Sequence, residues 1–368
     1  MRIRTGRVAP YTPRGRDLNP FRFPGPLAPA EMIDRDAEAE ELLALAQGGH
    51  SFRLIGPRRY GKTTLLRRVL EAAEREGMAT VLVDLQDVLS IGEIVVRIER
   101  AYDRLRGLLR RAVDSLFRSW NIGLALGGGG FTATLQQNPH VDAESVLLRL
   151  LELPAALFDR RGTTSLIAFD EVQDVLAVPG ADGKIRSVIQ HRTAAATDAF
   201  AGSAPGVMQQ LFADPRRPLL DQAAPRHLAP LSPDDVGAYV AERFRRTGRD
   251  AGSALTPLLE FARGHPQRSM MLAHHLWQRT PRGRAADEQT WVQAPHQAAA
   301  DTAPLMRAIW RALTVNGRRV ARALALTSTP LCGDDTAAAV GIKRTSIRSA
   351  LERMIDNAAV IREGAGRG

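Results

Sequence analysis

The stretch GPRRYGKTT, residues 56–64, combines two glycines, one lysine and two threonines at a spacing suited to phosphate chemistry. Gly56 and Gly61 can let backbone N–H groups approach phosphate oxygens, and the start of a helix adds a positive dipole. Lys62 can reach the β- and γ-phosphates, while Thr63 can place its hydroxyl on Mg²⁺. The pattern predicts a site for ATP or ADP with Mg²⁺. The residues assigned to nucleotide binding are Gly56, Pro57, Arg58, Arg59, Tyr60, Gly61, Lys62, Thr63 and Thr64.

The alternative for residues 56–64 is a plain turn, rich in arginine and glycine, between a strand and a helix. The basic residues of this chain are almost all arginine, and Lys62, Lys184 and Lys343 are its only lysines. A lysine at the position that contacts phosphate therefore favours the phosphate site over the plain turn.

A second segment supplies the carboxylates that phosphate chemistry needs. In LIAFDE, residues 166–171, four apolar residues place Asp170 at the carboxyl end of a strand. There it can bind Mg²⁺ through the water shell of the ion or through the Thr63 hydroxyl. Glu171 is placed to polarise an attacking water. Lys62 and Glu171 are thus predicted catalytic residues, and Thr63 and Asp170 are predicted to hold the metal.

The composition bounds the class of protein. With 368 residues, 44% of them hydrophobic, the chain has material for two or three globular domains. Its single cysteine, Cys332, excludes an internal disulfide framework and fits a reducing compartment. No long apolar run and no secretory signal is found, which predicts a cytoplasmic protein without a membrane span. A net charge of +10 favours an anionic partner such as nucleic acid.

Hydrophobic periodicity places both motifs in an α/β domain. Strand and helix patterns alternate up to about residue 230, and helices follow one another beyond that point. Residues 121–136 alternate around four glycines, which predicts an inserted surface hairpin; a partner-binding or DNA-probing role is the alternative. The predicted divisions are an extended, partly mobile lead-in over 1–30, an α/β domain over 31–230, a helical domain over 231–282, a linker rich in alanine and glutamine over 283–300 and a third region over 301–368.

Residues 19–280 carry an ordered set of characteristic segments. These are PAEMIDRDAEAEELL, GPRRYGKTTLL, LIAFDEVQDV, FAGSAPGVMQQLFADPRRPLLDQAAPRHLAPLSPDDVGAYV and GHPQRSMMLAHHLW. Together they resemble the archaeal-type ATPase family, which belongs with the AAA+ and STAND ATPases near the origin-recognition initiators. The resemblance implies an α/β P-loop NTPase fold of the AAA+/STAND-like kind. That fold has a parallel sheet flanked by helices, an extra strand between those carrying the phosphate loop and Asp170, and a helical lid.

The same resemblance implies roles for residues outside the phosphate loop. Ser203 matches the sensor 1 position, where a polar side chain contacts the γ-phosphate or the lytic water; the alternative is a strand-end serine without that role. Gly264 and Pro266 match the lid motif that faces the nucleotide, and Arg35 matches the motif flanking the adenine site. Arg268 falls one place beyond the lid arginine of the initiators.

Arg216 and Arg217 lie where AAA+ proteins place an arginine finger. Such a finger reaches the ATP of a neighbouring subunit and stabilises charge during phosphoryl transfer, which would make Arg217 catalytic in a homo-oligomer. The alternative is a solvated pair in an arginine-rich chain.

The C-terminal sequence predicts a helix-turn-helix of the winged-helix kind, which the resembling ATPases often carry. Ala337, Gly341 and Ile347 have the spacing of a close helix crossing, a turn and a core anchor. Only one wing strand is visible, so the domain is expected to be truncated; a small helical domain for protein contacts is the alternative. The candidate DNA-binding residues are Lys343, Arg344, Thr345, Ser346 and Arg348.

Two functional hypotheses follow. The first is an ATP- and Mg²⁺-dependent ATPase whose nucleotide state controls assembly or the engagement of duplex DNA. The second is a slowly hydrolysing STAND-type regulatory or defence switch that acts through a partner protein without binding DNA. Salt-sensitive affinity for duplex DNA distinguishes them.

Overall fold

The structure is a computed structural model that describes residues 18–25, 27–119, 142–192, 194–326, 338 and 341–356. The hairpin predicted at 121–136, Ala337 and the wing strand after residue 356 lie outside these ranges. The chain divides into two compact units. The sheet unit comprises the described parts of 36–58, 65–228 and 315–368, and the helical unit those of 1–35, 59–64 and 229–314.

Five parallel strands form the centre of the sheet unit. They are β1 Phe52–Ile55, β2 Ala79–Asp84, β3 Ser165–Asp170, β4 Ala196–Gly202 and β5 Ala224–His227. Their order across the sheet is β2-β3-β4-β1-β5. Every residue of β3 and β4 is buried, as expected for central strands of a parallel sheet. Because β4 pairs with both β1 and β3, the predicted extra strand between the phosphate-loop strand and the Asp170 strand is confirmed.

The described helices follow the periodic stretches of the sequence. They are α1 Asp36–Gln47, α2 Lys62–Arg75, α3 Ile91–Tyr102, α4 Gly107–Ser119, α5 Ala143–Arg161, α6 Ala181–Ile189, α7 Pro205–Ala213, α8 Pro233–Arg246, α9 Leu255–Ala262, α10 Pro266–Arg279, α11 Glu288–Ala312, α12 Val315–Leu326 and α13 Arg344–Asp356. Local caps define many of their ends: Asp142 accepts hydrogen bonds from the first turn of α5, and Gly162 ends that helix at φ 65°.

The core of the sheet unit lies between the sheet and its helices. Phe169 of β3 stacks on Phe200 of β4 with ring centroids 5.6 Å apart, and Phe200 contacts Phe212 of α7 at 5.1 Å. All three side chains are almost fully buried. The apolar packing holds β3 and β4 together up to their carboxyl ends, where the polar residues begin.

A buried ion pair lies near the amino-terminal end of β4, away from the polar residues at its carboxyl end. Arg192 and Asp198 are 2–3% exposed, and their side chains are 2.5 Å apart. Arg192 also donates a hydrogen bond to the Leu151 carbonyl oxygen at 2.7 Å. The pair therefore connects β4 to helix α5 in a region without solvent.

Truncation of this pair is expected to destabilise the sheet unit. Asp198→Ala leaves the Arg192 charge buried and uncompensated, so we expect the free energy of unfolding to fall by about 3–5 kcal/mol. Asp114→Ala is the control, because Asp114 forms a partly exposed i,i+4 pair with Arg110 that is worth about 0.5 kcal/mol. Chemical denaturation followed by circular dichroism measures both. Equal losses of stability in the two variants would show that the buried pair contributes no more than the partly exposed pair.

The helical unit has its own core, and the end of the predicted lead-in belongs to it. Phe21 is 1% exposed and packs on Phe244 of α8 at 5.5 Å. Asn19 donates a hydrogen bond to the His274 carbonyl oxygen at 3.0 Å. The expectation of a mobile lead-in is therefore corrected for residues 18–25, which apolar packing fixes in place.

The linker predicted at 283–300 also needs correction, because residues 288–312 form the helix α11. Asp287 caps it by accepting from the Thr290 amide at 2.8 Å, and the alanines that suggested a linker are strong helix formers. Ala294 and Ala298 are buried against the rest of the unit. The unit ends at residue 314, whereas the predicted helical domain ended at residue 282. Among the described residues, no helix combines the length and apolar character needed to cross a bilayer.

Candidate nucleotide and hydrolysis site

The phosphate loop runs from the end of β1 to the start of α2, as the sequence predicted. Lys62, the first residue of α2, is 5% exposed. Gly61 has φ 89°, a conformation that a side chain strains. A Cβ atom on Gly56 would lie 3.2 Å from the Leu228 side chain, so close packing also favours glycine there. Backbone conformation favours glycine at position 61 and close packing favours it at position 56. The helix N-terminus follows these residues directly.

The loop is divided between the two compact units. Residues 56–58 belong to the sheet unit, and residues 59–64 belong to the helical unit. Arg58 and Arg59 are exposed, whereas Tyr60 and Thr64 are buried and Thr63 is half-buried.

The two carboxylates follow β3 as predicted. Asp170 is the last residue of the strand and is 6% exposed. Glu171 leaves the strand in a left-handed conformation, φ 51° and ψ 40°, and a short 3-10 helix over Val172–Ala177 follows. A left-handed glutamate is strained backbone, which is typical of functional sites. The turn directs the chain back toward the end of β4.

Ser203 and Glu171, predicted separately, lie in contact. The Glu171 Oε2 atom accepts hydrogen bonds from the Ser203 hydroxyl at 2.7 Å and from the Ser203 amide at 3.2 Å. The strand order explains the meeting, because β3 and β4 are neighbours with parallel ends. Sequence reasoning placed both residues at strand ends but did not predict their hydrogen bonds.

Gln173 is a third member of this cluster, and the sequence analysis missed it. Its amide nitrogen donates to Glu171 Oε2 at 2.7 Å and to Asp174 Oδ1 at 3.1 Å. Burial raises the pKa of Asp174, which also accepts from the Asp87 amide at 2.8 Å. The Glu171 carboxylate is thereby held from both sides.

Gly202 allows this cluster to form. A Cβ atom at position 202 would lie 2.3 Å from the Met208 sulfur and 2.5 Å from the Gln173 side-chain oxygen. Any side chain there would displace Gln173 or Met208. The FAGS glycine is therefore a close-approach position that brings Ser203 to Glu171.

The predicted metal, Mg²⁺, does not require a cluster of protein ligands. Among the described residues, no group of three or more His, Cys, Asp or Glu side chains is arranged to hold a metal. Mg²⁺ in nucleotide sites takes only one or two protein ligands and keeps waters and phosphate oxygens. Asp170 of the sheet unit is buried and Thr63 of the helical unit is half-buried. Each has an oxygen of the kind that Mg²⁺ binds, and their role as metal ligands stays a prediction.

Two residues predicted near the nucleotide lie in the helical unit. Arg35 is 3% exposed, has φ 74°, and donates a hydrogen bond to the Ala229 carbonyl oxygen. Pro266 is the first residue of α10, whose N-cap is His265. The structure shows how these residues are held, and their nucleotide contacts stay predictions.

The predicted finger arginines are engaged within the chain. Arg217 lies 3.3 Å from Asp182 of α6, and its side chain is 34% exposed. Arg216 is 88% exposed and donates two hydrogen bonds to Asp214, which lower the pKa of that carboxyl to about 2. For Arg217 to reach a neighbouring subunit, its ion pair with Asp182 would have to open.

The candidate DNA-binding residues lie at the start of α13. Ile347 is 1% exposed and faces the core, where α13 packs against α12 and α7. Gly341 has φ 65°, in agreement with the predicted turn. Lys343, Arg344, Thr345 and Arg348 are exposed, and Ser346 is half-buried.

The strand order, the phosphate loop and the strand-end carboxylates define a P-loop NTPase fold. Residues 25–94 match the family of AAA-like domains. That segment contains β1, the phosphate loop, α2 and β2. Comparison with curated protein sequences found no significant match.

Solved structures of similar fold align with most of this chain. The Walker-type ATPase PABY2304 of Pyrococcus abyssi has a TM-score of 0.55 and 17% identity over 90% of this chain and 93% of its own. The Aeropyrum pernix ORC2 protein in its ADPNP–ADP complexes has 0.56 and 15%, with coverages of 92% and 90%. The Aeropyrum pernix ORC1 protein in complex with DNA has 0.51 and 13%, with coverages of 89% and 84%. At these identities the similarity shows a shared fold.

Proposed function

We propose that this protein binds ATP with Mg²⁺ at the phosphate loop and hydrolyses it. The observation that carries the proposal is the contact between Ser203 and Glu171, because it gathers a polar strand-end residue and a candidate base beside buried Asp170. A phosphate loop alone explains binding, whereas a positioned carboxylate explains attack by water.

In this mechanism each residue has one task. Lys62 and the loop amides bind the β- and γ-phosphates, and Thr63 and Asp170 hold the metal. Bound Mg²⁺ neutralises charge that develops on the phosphate oxygens. Glu171 accepts a proton from the attacking water while Ser203 orients the carboxylate or the water. Arg35 and Pro266 would border the nucleotide base, and Arg217 would act in trans in an oligomer.

We further propose that nucleotide state controls assembly and the engagement of duplex DNA through α13. The exposed basic and hydroxyl residues at its N-terminal end support this role, because such side chains contact phosphates and base edges. The net charge of +10 is also of the sign that attracts the negatively charged phosphates of DNA. A protein of similar fold, ORC1 of Aeropyrum pernix, has been solved in complex with DNA.

A second candidate, a slow switch that acts through a partner protein, is favoured by the state of Glu171. Its Oε2 atom already accepts three hydrogen bonds from Ser203 and Gln173. These bonds occupy the carboxylate oxygen that would otherwise face an attacking water. Slow turnover would follow unless nucleotide binding rearranges these contacts.

The discriminating experiment measures particle size and affinity for labelled duplex DNA in ATP, in ADP and without nucleotide. We expect size or affinity to differ between ATP and ADP. The logarithm of DNA affinity is expected to fall linearly with the logarithm of salt concentration. If the protein shows no salt-sensitive affinity in any nucleotide state, the DNA proposal fails and the protein-directed switch is retained.

Removal of single positive charges on α13 tests whether this helix itself contacts the DNA. Lys343→Ala and Arg348→Ala are each expected to weaken DNA binding and to reduce the magnitude of the salt slope by about 1. Arg245→Ala is the matched control, because Arg245 is a 77% exposed arginine on another helix, α8. An equal effect of the control would indicate attraction to the overall positive charge rather than contact through α13.

A further inference from the structure

The middle of the phosphate loop is attached to the first turn of α10, within the helical unit. The Tyr60 ring meets the His265 ring edge-on, with centroids 4.9 Å apart and planes at 70°. Arg59 donates a hydrogen bond to the Gln267 side-chain oxygen at 3.2 Å. Tyr60 is only 6% exposed. Two of the four loop residues that a phosphate-binding motif leaves variable, Arg59 and Tyr60, therefore contact this helix.

His265 is fixed for this contact by its own environment. Its ring nitrogen Nδ1 accepts a hydrogen bond from the Arg268 amide at 3.3 Å and caps α10. Burial and the neighbouring charges of Arg268 and Arg59 lower the pKa of His265 to about 4. At neutral pH the ring is therefore uncharged, so it can both cap the helix and pack against an aromatic side chain.

The backbone before His265 is also rigid. Gly264 has φ 67°, and a Cβ atom there would lie 2.3 Å from the Leu231 carbonyl oxygen. The Leu231 amide donates a hydrogen bond to the Gly264 carbonyl oxygen at 2.9 Å. His265 consequently sits on a segment braced against the chain just before α8, and it provides a firm partner for the loop.

On the loop side, Tyr60 lies between two left-handed residues. Arg59 has φ 68° and Gly61 has φ 89°. A non-glycine residue in this conformation is unfavourable by itself, so the loop shape depends on contacts that hold it. The ring contact of Tyr60 and the hydrogen bond of Arg59 act on either side of the strained peptide.

We propose that Tyr60, His265, Arg59 and Gln267 form a latch by which α10 positions the phosphate loop for nucleotide binding. The proposal rests on the nucleotide binding proposed above and assigns positioning residues to it. The latch does not touch reacting atoms. Its loss should weaken the binding of ATP and ADP alike.

A variant series tests the ring contact. Tyr60→Ala and His265→Asn are each expected to weaken ATP and ADP binding about 3- to 10-fold, as loss of one aromatic pair predicts. Tyr60→Phe retains the ring and should bind nearly as the unchanged protein does. Asparagine at 265 preserves the helix cap, so its effect reports the ring. Phe261→Ala is the control, since it removes an edge-on pair with Trp291 elsewhere in this unit.

The double variant decides whether the two residues act together. If they form one latch, Tyr60→Ala combined with His265→Asn weakens binding no more than either change alone. Effects that multiply, a Tyr60→Phe protein as weak as Tyr60→Ala, or full affinity in Tyr60→Ala would each overturn the proposal.

Amide hydrogen exchange separates failure of the latch from failure of nucleotide binding. In the protein without nucleotide, Tyr60→Ala should speed exchange in the first turn of α10, whereas Lys62→Arg should leave it unchanged. Unchanged exchange in Tyr60→Ala would contradict the latch. If instead the unchanged protein binds no nucleotide while this difference in exchange is present, the proposed function fails and the attachment of loop to helix stands.

Discussion

Replacing Glu171 with glutamine is expected to lower ATP turnover by about 10²–10⁴-fold while ATP affinity stays within about threefold. The amide cannot accept a proton from the attacking water, but it can still accept hydrogen bonds from Ser203. Because the Lys62 loop and Asp170 are untouched, the phosphate and metal contacts remain. Single-turnover hydrolysis and equilibrium binding of labelled ATP measure the two effects separately.

Glu144→Gln is the matched control for this change. Glu144 lies on the surface at the start of α5, where it pairs with Lys184 at 3.0 Å. The same loss of one carboxylate there should leave turnover unchanged. Normal turnover in Glu171→Gln would remove Glu171 from the role of base, and lost ATP affinity would show that its contacts serve to build the site.

The parts of the site that were predictable depend on local sequence. The loop from Gly56 to Thr63 is one continuous segment, and its glycines, lysine and helix start are required by backbone geometry close to the motif. Asp170 was predictable because a fully buried strand must end where polar residues begin. The position of β4 between β1 and β3 came from the resemblance to a family, since spacing alone does not order strands.

The contacts that could not be predicted depend on tertiary packing. Gln173 meets Glu171 because a left-handed residue and a 3-10 turn fold the chain back, and one residue at φ 51° has no reliable signal in sequence. Tyr60 and His265 are about two hundred residues apart, and nothing in either segment indicates the other. The burial of Tyr60 within its own chain likewise depends on this distant contact.

The errors in domain organisation have a compositional cause. Alanine and glutamine after residue 283 suggested a linker. Alanine is also a strong helix former, and Asp287 caps the helix that forms there. Proline and arginine before residue 30 suggested mobility. Burial of the Phe21 ring, however, stabilises an ordered conformation of this segment despite its polar residues. In both cases a single capping or anchoring residue decided the structure.

Lys62→Arg is expected to lower ATP turnover by at least about 10²-fold and to weaken nucleotide binding, although the charge is retained. Lys62 is 5% exposed at the first position of α2. A guanidinium is planar and broader, and its hydrogen bonds have fixed directions, so it does not substitute for a point charge. The choice of lysine here, in a chain that uses arginine at almost every other basic position, has this physical reason.

Lys184→Arg is the matched control for the same substitution. Lys184 pairs with Glu144 on the surface, where arginine can form the pair equally well. Turnover and nucleotide affinity should therefore be unchanged in Lys184→Arg and reduced in Lys62→Arg. If Lys62→Arg retained full activity, the position would need only a positive charge, and residues 56–64 would resemble the arginine-rich turn more than a phosphate site built around lysine.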